Sequence, residues 1–368
     1  MNTNTRKLHD LGQRIWLDNI TRLMLNNGTL ARYIAELSVT GLTSNPTIFE
    51  HAIGSGALYD EAIQKLATQG LACEDIFFEL ALQDLTQAAD LFRPLFDASS
   101  GGGGWVSLEV SPLLANDTTG TIQAAARLHA QAARPNLFIK IPGTPEGIPA
   151  IEQSIFDGVP VNVTLLFSSD QYLAAAQAYL RGIERRIEVG LDPKVESVAS
   201  IFVSRWDVAA NEGVQPKLRN RLGVAIAMRT YADHRTLIAS ERWQRLAAAG
   251  ARPQRLLWAS TGTKDPAAPD TFYVEALAAA GTIDTMPEKT LLAFADHGEV
   301  GTVLPADGGS AERVLDALKR EGVDDKALAA RLQREGVQAF SESWSGLMAR
   351  IQQKSSPPLS AAARTGAA

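Results

Sequence analysis

The chain has 368 residues, of which 45% are hydrophobic and 21% are charged, and its formal net charge is -6. This composition is ordinary for a globular protein with a sizeable core. The negative charge argues against general nucleic-acid binding, because proteins with that role usually present a basic surface. Cys73 is the only cysteine, which excludes an intrachain disulfide and a cysteine-rich metal site.

The composition and the N-terminal sequence also predict where the protein works. The segment Met1–Trp16 has no cationic stretch followed by an apolar region, and no part of the chain approaches the roughly 18 apolar residues of a membrane span. We therefore expect a cytoplasmic protein that is neither exported nor embedded in a membrane.

Short apolar, β-branched runs alternate with segments of helical spacing, which is typical of βα units around a parallel sheet. The runs are Arg14–Asp18, Gly41–Ser44, Trp105–Glu109, Leu137–Ile141, Val159–Leu166, Ser197–Val203, Arg255–Ala259 and Thr282–Met286. Because there are eight of them, the sequence predicts an α/β fold, specifically a (β/α)8 TIM barrel with additional helices.

Three segments between the runs have recognisable features. Glu74–Leu95 and Ser168–Gly190 carry apolar residues at helical spacing and predict outer helices, the second with a Ser-Ser-Asp start suited to N-capping. Asn211–Gly250 is longer than one barrel helix requires, which indicates a helical insertion or two helices.

Two further segments are expected to lack regular structure. Gly101–Gly104 precedes a strand rather than a helix, which favours a flexible turn over a phosphate-binding loop. Residues 354–368 are rich in Ser, Pro and Ala and predict a disordered tail. The remainder, residues 1–353, is expected to form a single barrel domain with helical insertions.

The fourth run contains a lysine among apolar residues. Side chains alternate along a strand, so Phe138 and Lys140 share one face while Leu137, Ile139 and Ile141 share the other. If the aliphatic face packs on the outer helices, Lys140 points into the barrel. Burial favours the neutral, nucleophilic amine that forms Schiff bases. A lysine that reaches solvent from the strand end, or a structural ion pair, is the alternative.

Other strand ends also carry polar residues, which are Asp18, Asn45, Glu109, Asn162 and Thr164. Each alone could be a capping or hydrogen-bonded structural residue. Together with a lysine they predict an active site, because catalytic groups of barrel enzymes stand at the C-terminal ends of the strands.

The loops after the sixth and seventh runs are candidates for phosphate recognition. Ser200–Arg205 and Ala259–Lys264 each combine small hydroxyl residues with one cation. Phosphate sites of barrels often lie in these late loops. The alternative is a pair of solvated turns with a surface arginine and lysine.

The sequence contains no pattern that predicts a metal or a nucleotide cofactor. The histidines show no metal-ligand spacing such as HExxH; they are His9, His51, His129, His234 and His297. Neither GxGxxG after a strand nor GxxxxGK[ST] occurs.

Five motifs together resemble the transaldolase family, and they occur in the family's order. They are Trp16–Asn19, Thr43–Thr47, Ser107–Pro112, Asn136–Thr144 and Val161–Ser168. The resemblance covers about residues 8 to 350, and the chain is similar to the longer bacterial form of the family. It implies a class I aldolase barrel without cofactor or metal. Such an enzyme moves a dihydroxyacetone unit between sedoheptulose 7-phosphate/glyceraldehyde 3-phosphate and erythrose 4-phosphate/fructose 6-phosphate, in the non-oxidative pentose phosphate pathway.

The resemblance also implies catalytic roles. Lys140 resembles the lysine that forms the Schiff base with the ketose, and Asp18 resembles the general acid/base that takes the proton of the C4 hydroxyl. Glu109 and Thr164 resemble the pair that holds a catalytic water.

Substrate-binding roles follow from the same motifs. Asn45 and Asn162 resemble residues that orient the dihydroxyacetone hydroxyls. Ser200, Phe202 and Arg205 match the family's strand-six pattern, with Arg205 as the phosphate ligand.

The chain departs from the family pattern in two loops. Ile201 and Ser204 stand where many members have proline and glycine. In the strand-seven loop, many members have a serine followed two residues later by arginine, whereas here Ser260 is followed by Lys264 as the nearest cation. We expect Ser260 and Lys264 to share the phosphate contact.

Two other functions remain open from the sequence. One is a fructose-6-phosphate aldolase-like lyase, which would release dihydroxyacetone instead of transferring it. The other is a non-catalytic barrel that binds sugar phosphates. The expected partners are sugar phosphates, with no nucleic acid and no membrane, and the chain could be a monomer or a homodimer.

Overall fold

Eight parallel β-strands form the centre of the protein. The structure, a computed structural model, describes residues 2–355. The strands are β1 Arg14–Asp18, β2 Val39–Thr43, β3 Val106–Glu109, β4 Leu137–Pro142, β5 Val161–Leu166, β6 Ser197–Phe202, β7 Arg255–Ala259 and β8 Ile283–Met286. All eight coincide with the runs predicted from the sequence, with ends that differ by up to two residues.

The strands follow one another around a barrel. Their order in the sheet is β2-β1-β8-β7-β6-β5-β4-β3, and an isolated parallel bridge between Gly41 and Trp105 joins the two outermost strands. A Cβ atom on Gly41 would lie 2.6 Å from the indole of Trp16 and 2.7 Å from the carbonyl oxygen of Trp105. Glycine therefore permits the close approach that closes the barrel. The predicted (β/α)8 barrel is confirmed.

Helices alternate with the strands and add several segments beyond the basic barrel. They are α1 Thr3–Leu11, α2 Arg22–Asn26, α3 Thr29–Glu36, α4 Pro46–Gly54, α5 Asp60–Thr68, α6 Cys73–Ala98, α7 Thr118–Ala132, α8 Gly147–Phe156, α9 Ser169–Glu188, α10 Ser204–Ala210, α11 Leu222–Ala239, α12 Glu241–Ala248, α13 Phe272–Ala276, α14 Glu288–His297, α15 Ala311–Arg320 and α16 Asp325–Ser355. Short 3-10 turns lie at Pro112–Leu114, Asn211–Gly213 and Pro216–Leu218.

The helix predictions agree with these bounds. The two predicted outer helices are α6 and α9, and α9 begins with a capping box formed by Ser168 and Gln171. The long segment Asn211–Gly250 contains two helices, α11 and α12. Gly101–Gly104 is a turn before β3. Helix α16 continues to Ser355, and residues 356–368 of the predicted tail lie outside the described residues.

Two separate apolar clusters pack against the strands. The outward-facing Leu137, Ile139 and Ile141 of β4 pack in the larger cluster with the helices. Phe138 faces inward and stacks on Trp105, with ring centroids 4.0 Å apart. These aromatic rings lie near the N-terminal ends of β3 and β4, whereas barrel active sites lie at the C-terminal ends of the strands.

Helix α16 returns from the end of the chain to the C-terminal side of the barrel. Its Gln333 Nε2 donates to the carbonyl oxygens of Gly143 (2.9 Å) and Leu165 (3.0 Å). A Cβ atom on Gly336 would lie 2.8 Å from the Leu165 side chain, so glycine lets the helix approach β5 closely. The C-terminal helix thus covers part of the barrel mouth.

None of the helices within residues 2–355 is long and apolar enough to cross a membrane.

Candidate active site

A cavity of about 300 Å³ opens at the C-terminal ends of the strands. Nine of the residues predicted from the sequence line it, namely Asp18, Asn45, Lys140, Thr164, Ser200, Phe202, Arg205, Ser260 and Lys264. The other two, Glu109 and Asn162, are buried in the barrel wall beside Lys140 rather than on the cavity surface. Together with Thr285 of β8, these residues show that seven of the eight strands, or the loops after them, contribute to one cavity.

The amine of Lys140 lies inside the barrel. The residue is buried, with 4% of its surface exposed, and its Nζ atom is 3.1 Å from Oε2 of Glu109. Nζ also donates a hydrogen bond to the carbonyl oxygen of Ser44 at 3.2 Å. In-register pairing of β3 with β4 places Glu109 directly beside Lys140, so the sheet itself fixes this ion pair.

Glu109 and Thr164 provide polar atoms near the lysine that have incomplete hydrogen bonding. Burial raises the pKa of the Glu109 carboxyl, and the neighbouring Lys140 opposes that rise. The hydroxyl of Thr164 is buried and has no hydrogen-bond partner among the described residues. Because a buried, unpaired hydroxyl is costly, this position is suited to binding a water molecule or a substrate oxygen.

Asp18 is oriented by hydroxyls from the two adjacent strands. Thr43 donates to Oδ1 of Asp18 at 2.7 Å, and the hydroxyls of Thr43 and Thr285 lie 2.7 Å apart. Because the Thr43 hydroxyl donates its hydrogen to Asp18, the Thr285 hydroxyl is the donor in the hydrogen bond to Thr43. Burial raises the pKa of Asp18, while Lys140, the Thr43 hydrogen bond and Lys264 act in the opposite direction. A carboxyl group in this environment is suited to exchange a proton with a substrate hydroxyl.

Two amides also lie at the site, and both are partly engaged by the protein. Asn162 accepts a hydrogen bond from Ser200 at 2.7 Å and donates one to Ser107 at 3.1 Å. Asn45 caps α4 by accepting the Ile48 N–H at 3.0 Å, and its Nδ2 group has no protein partner among residues 2–355. The Nδ2 group of Asn45 can donate to hydroxyls in the cavity, whereas Asn162 lies in the wall beside Lys140 and has one amide N–H group left to donate.

Arg205 is the half-buried cation of the site. Its guanidinium lies over the ring of Phe202, 5.3 Å from the centroid, and 6.0 Å from the centroid of Phe340. In the described part of the chain, no carboxylate or carbonyl oxygen bonds to it. Burial lowers its pKa, against the attraction of Glu335. The cost of holding this cation partly desolvated would be relieved by an anionic ligand.

The loop after β7 approaches Arg205 from the neighbouring strand. The hydroxyls of Ser260 and Ser204 lie 2.9 Å apart, which links this loop to the start of α10. Ser260 has a φ angle of 57°, a left-handed conformation that is strained for serine. Lys264 lines the same cavity but is exposed. The site therefore has two candidate cations for a phosphate, one half-buried and one exposed.

Sequence reasoning missed several residues of the cavity. Thr43 and Thr285 orient Asp18, yet a threonine in a strand has no distinctive spacing. Phe340 lies on α16, about 200 residues after Lys140 in the chain, and its ring centroid is 5.8 Å from the amine. Only the path of the C-terminal helix brings it there. His51 also lines the cavity.

Comparison with known proteins identifies the family. The family model described as Transaldolase/Fructose-6-phosphate aldolase matches residues 15–351. The chain belongs to this family. Proteins named Transaldolase from Saccharopolyspora erythraea and Thermobifida fusca are 43% and 44% identical to it, covering 96% of this chain and 98% and 99% of theirs. Another, from Thiobacillus denitrificans, is 44% identical over 94% of this chain and 99% of its own. The resemblance noted from the five motifs is thereby confirmed.

The family assignment applies to the whole barrel, since the matched region begins within β1 and ends within α16. Both the strand that carries Asp18 and the helix that carries Phe340 are thus parts of the family fold. Among residues 2–355, no group of three or more His, Cys, Asp or Glu side chains is arranged to hold a metal ion.

Proposed function

We propose that the protein is a transaldolase, which transfers a dihydroxyacetone unit from sedoheptulose 7-phosphate or fructose 6-phosphate to an aldose phosphate. The observation that carries the proposal is a buried lysine amine, 3.1 Å from a buried carboxylate, in a cavity that also holds Asp18 and two cations. Such a cavity offers an amine for a Schiff base, a separate acid/base group and anchors for a phosphate. The names of its relatives support the same activity.

The first stage is attack of Lys140 on the C2 carbonyl of the ketose. The neutral amine is required, and Glu109 lies close enough to accept a proton from Nζ. A water held between Glu109 and the unpaired hydroxyl of Thr164 would then relay protons as the carbinolamine forms and loses water. The product is a protonated imine on Lys140.

Asp18 acts as the acid/base group in the second stage, which is cleavage of the C3–C4 bond. It takes the proton from the C4 hydroxyl, the C3–C4 bond breaks, and the electron pair of that bond moves into the imine to give an enamine. Desolvation raises its pKa, which makes it a stronger base than an ordinary aspartate once it is ionised. Thr43 keeps the carboxylate in one orientation during this transfer. The same group returns the proton when an acceptor aldose arrives.

Binding residues hold the two ends of the sugar. The amide N–H groups of Asn45 and Asn162 are assigned to the hydroxyls of the dihydroxyacetone unit, and Ser200 fixes Asn162. At the other end, Arg205 is assigned to the phosphate, with Phe202 as the surface on which its guanidinium rests.

The strand-seven loop completes the phosphate site. Ser260 and Lys264 are assigned to the same phosphate as Arg205, because the loop is joined to α10 through Ser204. Lys264 would add a long-range attraction rather than a desolvated contact, since its side chain is exposed.

Transfer rather than hydrolysis requires that water be kept from the enamine. The ring of Phe340 stands 5.8 Å from the Lys140 amine and is 4% exposed. We assign to it the exclusion of water from this side of the cavity.

The activity is tested with fructose 6-phosphate in the presence and absence of erythrose 4-phosphate. A transaldolase consumes the ketose rapidly only when the acceptor is present. Rapid release of dihydroxyacetone without an acceptor would instead identify a fructose-6-phosphate aldolase, the other activity named in the family description.

Borohydride trapping tests the covalent step. Reduction in the presence of fructose 6-phosphate should add a three-carbon unit to Lys140, detectable in the intact mass and by peptide mapping. Lys140→Ala should remove the adduct and nearly all turnover, whereas the exposed Lys65→Ala should retain both. An unmodified wild-type chain would point to a barrel that only binds sugar phosphates.

The cellular setting is part of the same proposal. We place the reaction in the non-oxidative pentose phosphate pathway of the cytoplasm, a reducing compartment that suits a chain with the single cysteine Cys73. The site is built from one chain, so either a monomer or a homodimer would carry it complete.

A further inference from the structure

Three arginines surround a second cavity at the opposite end of the barrel. This cavity of about 240 Å³ is lined by Arg14, Arg252, Arg255 and Glu196, among others. Arg14 and Arg255 are the first residues of β1 and β7, so the cavity opens at the N-terminal face. Lys140 and Asp18 lie at the other face, and the proposed reaction uses none of the residues that line this second cavity.

Arg255 has a buried N–H group without a partner among the described residues. Its Nη1 donates to the carbonyl oxygen of Gly102 at 2.7 Å, whereas Nη2 is buried and has no hydrogen-bond partner within residues 2–355. Burial lowers the pKa of this guanidinium, Glu196 opposes that effect, and Arg14 and Arg252 add to it. A buried N–H group without an acceptor is costly, so the position favours an oxygen ligand.

The other two guanidiniums are held mostly by backbone oxygens. Arg252 donates to Glu196 at 2.5 Å and to the carbonyl oxygen of Ser100 at 2.6 Å. Arg14 donates to the carbonyl oxygen of His9 at 3.1 Å. Carbonyl oxygens satisfy N–H groups without neutralising charge. Three arginines and one glutamate therefore leave a net charge of 3 − 1 = +2 around the cavity.

The glycine-rich turn before β3 holds two of these arginines in place. Gly101 and Gly104 have φ angles of 85° and 82°, which only glycine adopts readily. A Cβ atom on Gly101 would lie 3.1 Å from Nη1 of Arg252. The turn directs the carbonyl oxygens of residues 100 and 102 toward the arginines. It thus has a structural role in assembling the cluster, which its sequence alone did not reveal.

We propose that this cavity is a binding site for a phosphate dianion, either inorganic phosphate or a phosphate monoester. A dianion would balance the +2 charge, and its oxygens could accept the unused N–H groups of Arg255 and Arg14. Planar guanidinium groups match the geometry of phosphate oxygens and bind them in pairs. The volume is sufficient for a phosphate group with a short substituent.

Calorimetric titration with inorganic phosphate at constant ionic strength tests the proposal. The protein carries Arg205→Gln and Lys264→Gln, which removes from the active-site cavity both cations assigned to the substrate phosphate. We expect one remaining site, whose affinity falls roughly 10- to 100-fold when Arg255→Gln is added, because a hydrogen-bonded charged contact is lost. The proposal would be overturned if the variant that carries Arg205→Gln and Lys264→Gln bound no phosphate, or if adding Arg255→Gln left its phosphate affinity unchanged.

A matched control separates this site from general attraction to cations. Arg134 precedes β4, so it too lies toward the N-terminal face, but it already forms two hydrogen bonds to Asp90. Arg134→Gln should leave phosphate affinity unchanged, and an equal loss would contradict a specific site. Arg14→Gln gives an independent measure if Arg255→Gln folds poorly, with circular dichroism as the check.

Competition with glycerol 1-phosphate distinguishes the two sources of the dianion. Displacement of inorganic phosphate shows that the cavity takes monoesters, and lack of displacement shows that it takes the inorganic ion. In the otherwise wild-type enzyme, Arg255→Gln should leave kcat/KM for fructose 6-phosphate unchanged. The proposal therefore stands or falls independently of the transaldolase assignment.

Discussion

The phosphate contact of Arg205 allows a quantitative prediction from the structure. Its guanidinium is half-buried between Phe202 and Phe340, and no carboxylate within residues 2–355 pairs with it. Removing one member of a buried charged contact costs about 2–5 kcal/mol. Arg205→Gln should therefore lower kcat/KM for fructose 6-phosphate roughly 30-fold to several-thousand-fold, at 1.36 kcal/mol per factor of ten.

Comparison with Lys264 sharpens this prediction. Lys264 lines the same cavity but is exposed, and exposed ion pairs contribute at most about 1 kcal/mol. Lys264→Gln should therefore lower kcat/KM by about fivefold or less. Activity toward unphosphorylated fructose should change little in either variant. Arg331, an exposed arginine of α16 that pairs with Glu335, provides the control variant Arg331→Gln.

Stability gives a second readout for the same substitution. Arg205→Gln removes an unpaired, partly desolvated cation, which should stabilise the fold. It also removes two cation–π contacts, which should destabilise the fold by a similar amount. The free energy of unfolding in urea should change by no more than about 1 kcal/mol. Equal losses on phosphorylated and unphosphorylated substrates, or a large loss of stability, would refute the assignment of Arg205 to the phosphate.

Three further predictions concern other residues. Asp18→Asn should still form the imine with fructose 6-phosphate but slow cleavage of the C3–C4 bond about 10²- to 10⁴-fold. Borohydride would then trap a six-carbon adduct on Lys140. A three-carbon adduct formed at the wild-type rate would contradict the role of Asp18. Phe340→Leu should admit water to the enamine. The measurement is the rate of fructose 6-phosphate consumption without an acceptor divided by the rate with erythrose 4-phosphate, and this ratio should rise. An unchanged ratio would contradict the role of Phe340 in excluding water. Burial raises the pKa of Asp284 to about 7 from 3.8, so between these pH values the folded state retains a proton that the unfolded state has lost. The free energy of unfolding should therefore fall as the pH rises from about 4 to 7, by up to about 4 kcal/mol. Asp284→Asn should flatten this dependence in urea unfolding at pH 5 and pH 8, and equal pH dependence in both proteins would disprove it.

The sequence by itself predicts the barrel and most of the proposed active site. Alternation along β4 places Lys140 inward, because neighbouring side chains point to opposite faces of a strand and Leu137, Ile139 and Ile141 require the apolar side. Parallel strands end on one side of the sheet, so Asp18 and the other polar strand-end residues had to meet. These conclusions depend on local patterns, which a single sequence contains.

Only the tertiary structure decides the contacts between distant segments. Helix α16 crosses the barrel mouth and brings Phe340 to the lysine, and no local pattern of α16 indicates that path. Pairing of β1 with β2 and β8 creates the hydroxyl chain that orients Asp18.

The N-terminal face gives the clearest contrast. Arg14, Arg252 and Arg255 are unremarkable charges in the sequence, and the glycine-rich turn predicts only flexibility. Barrel closure places the starts of β1, β6, β7 and β8 side by side and brings the turn against them. Electrostatic repulsion and desolvation depend on distances in space, and only the folded chain sets those distances.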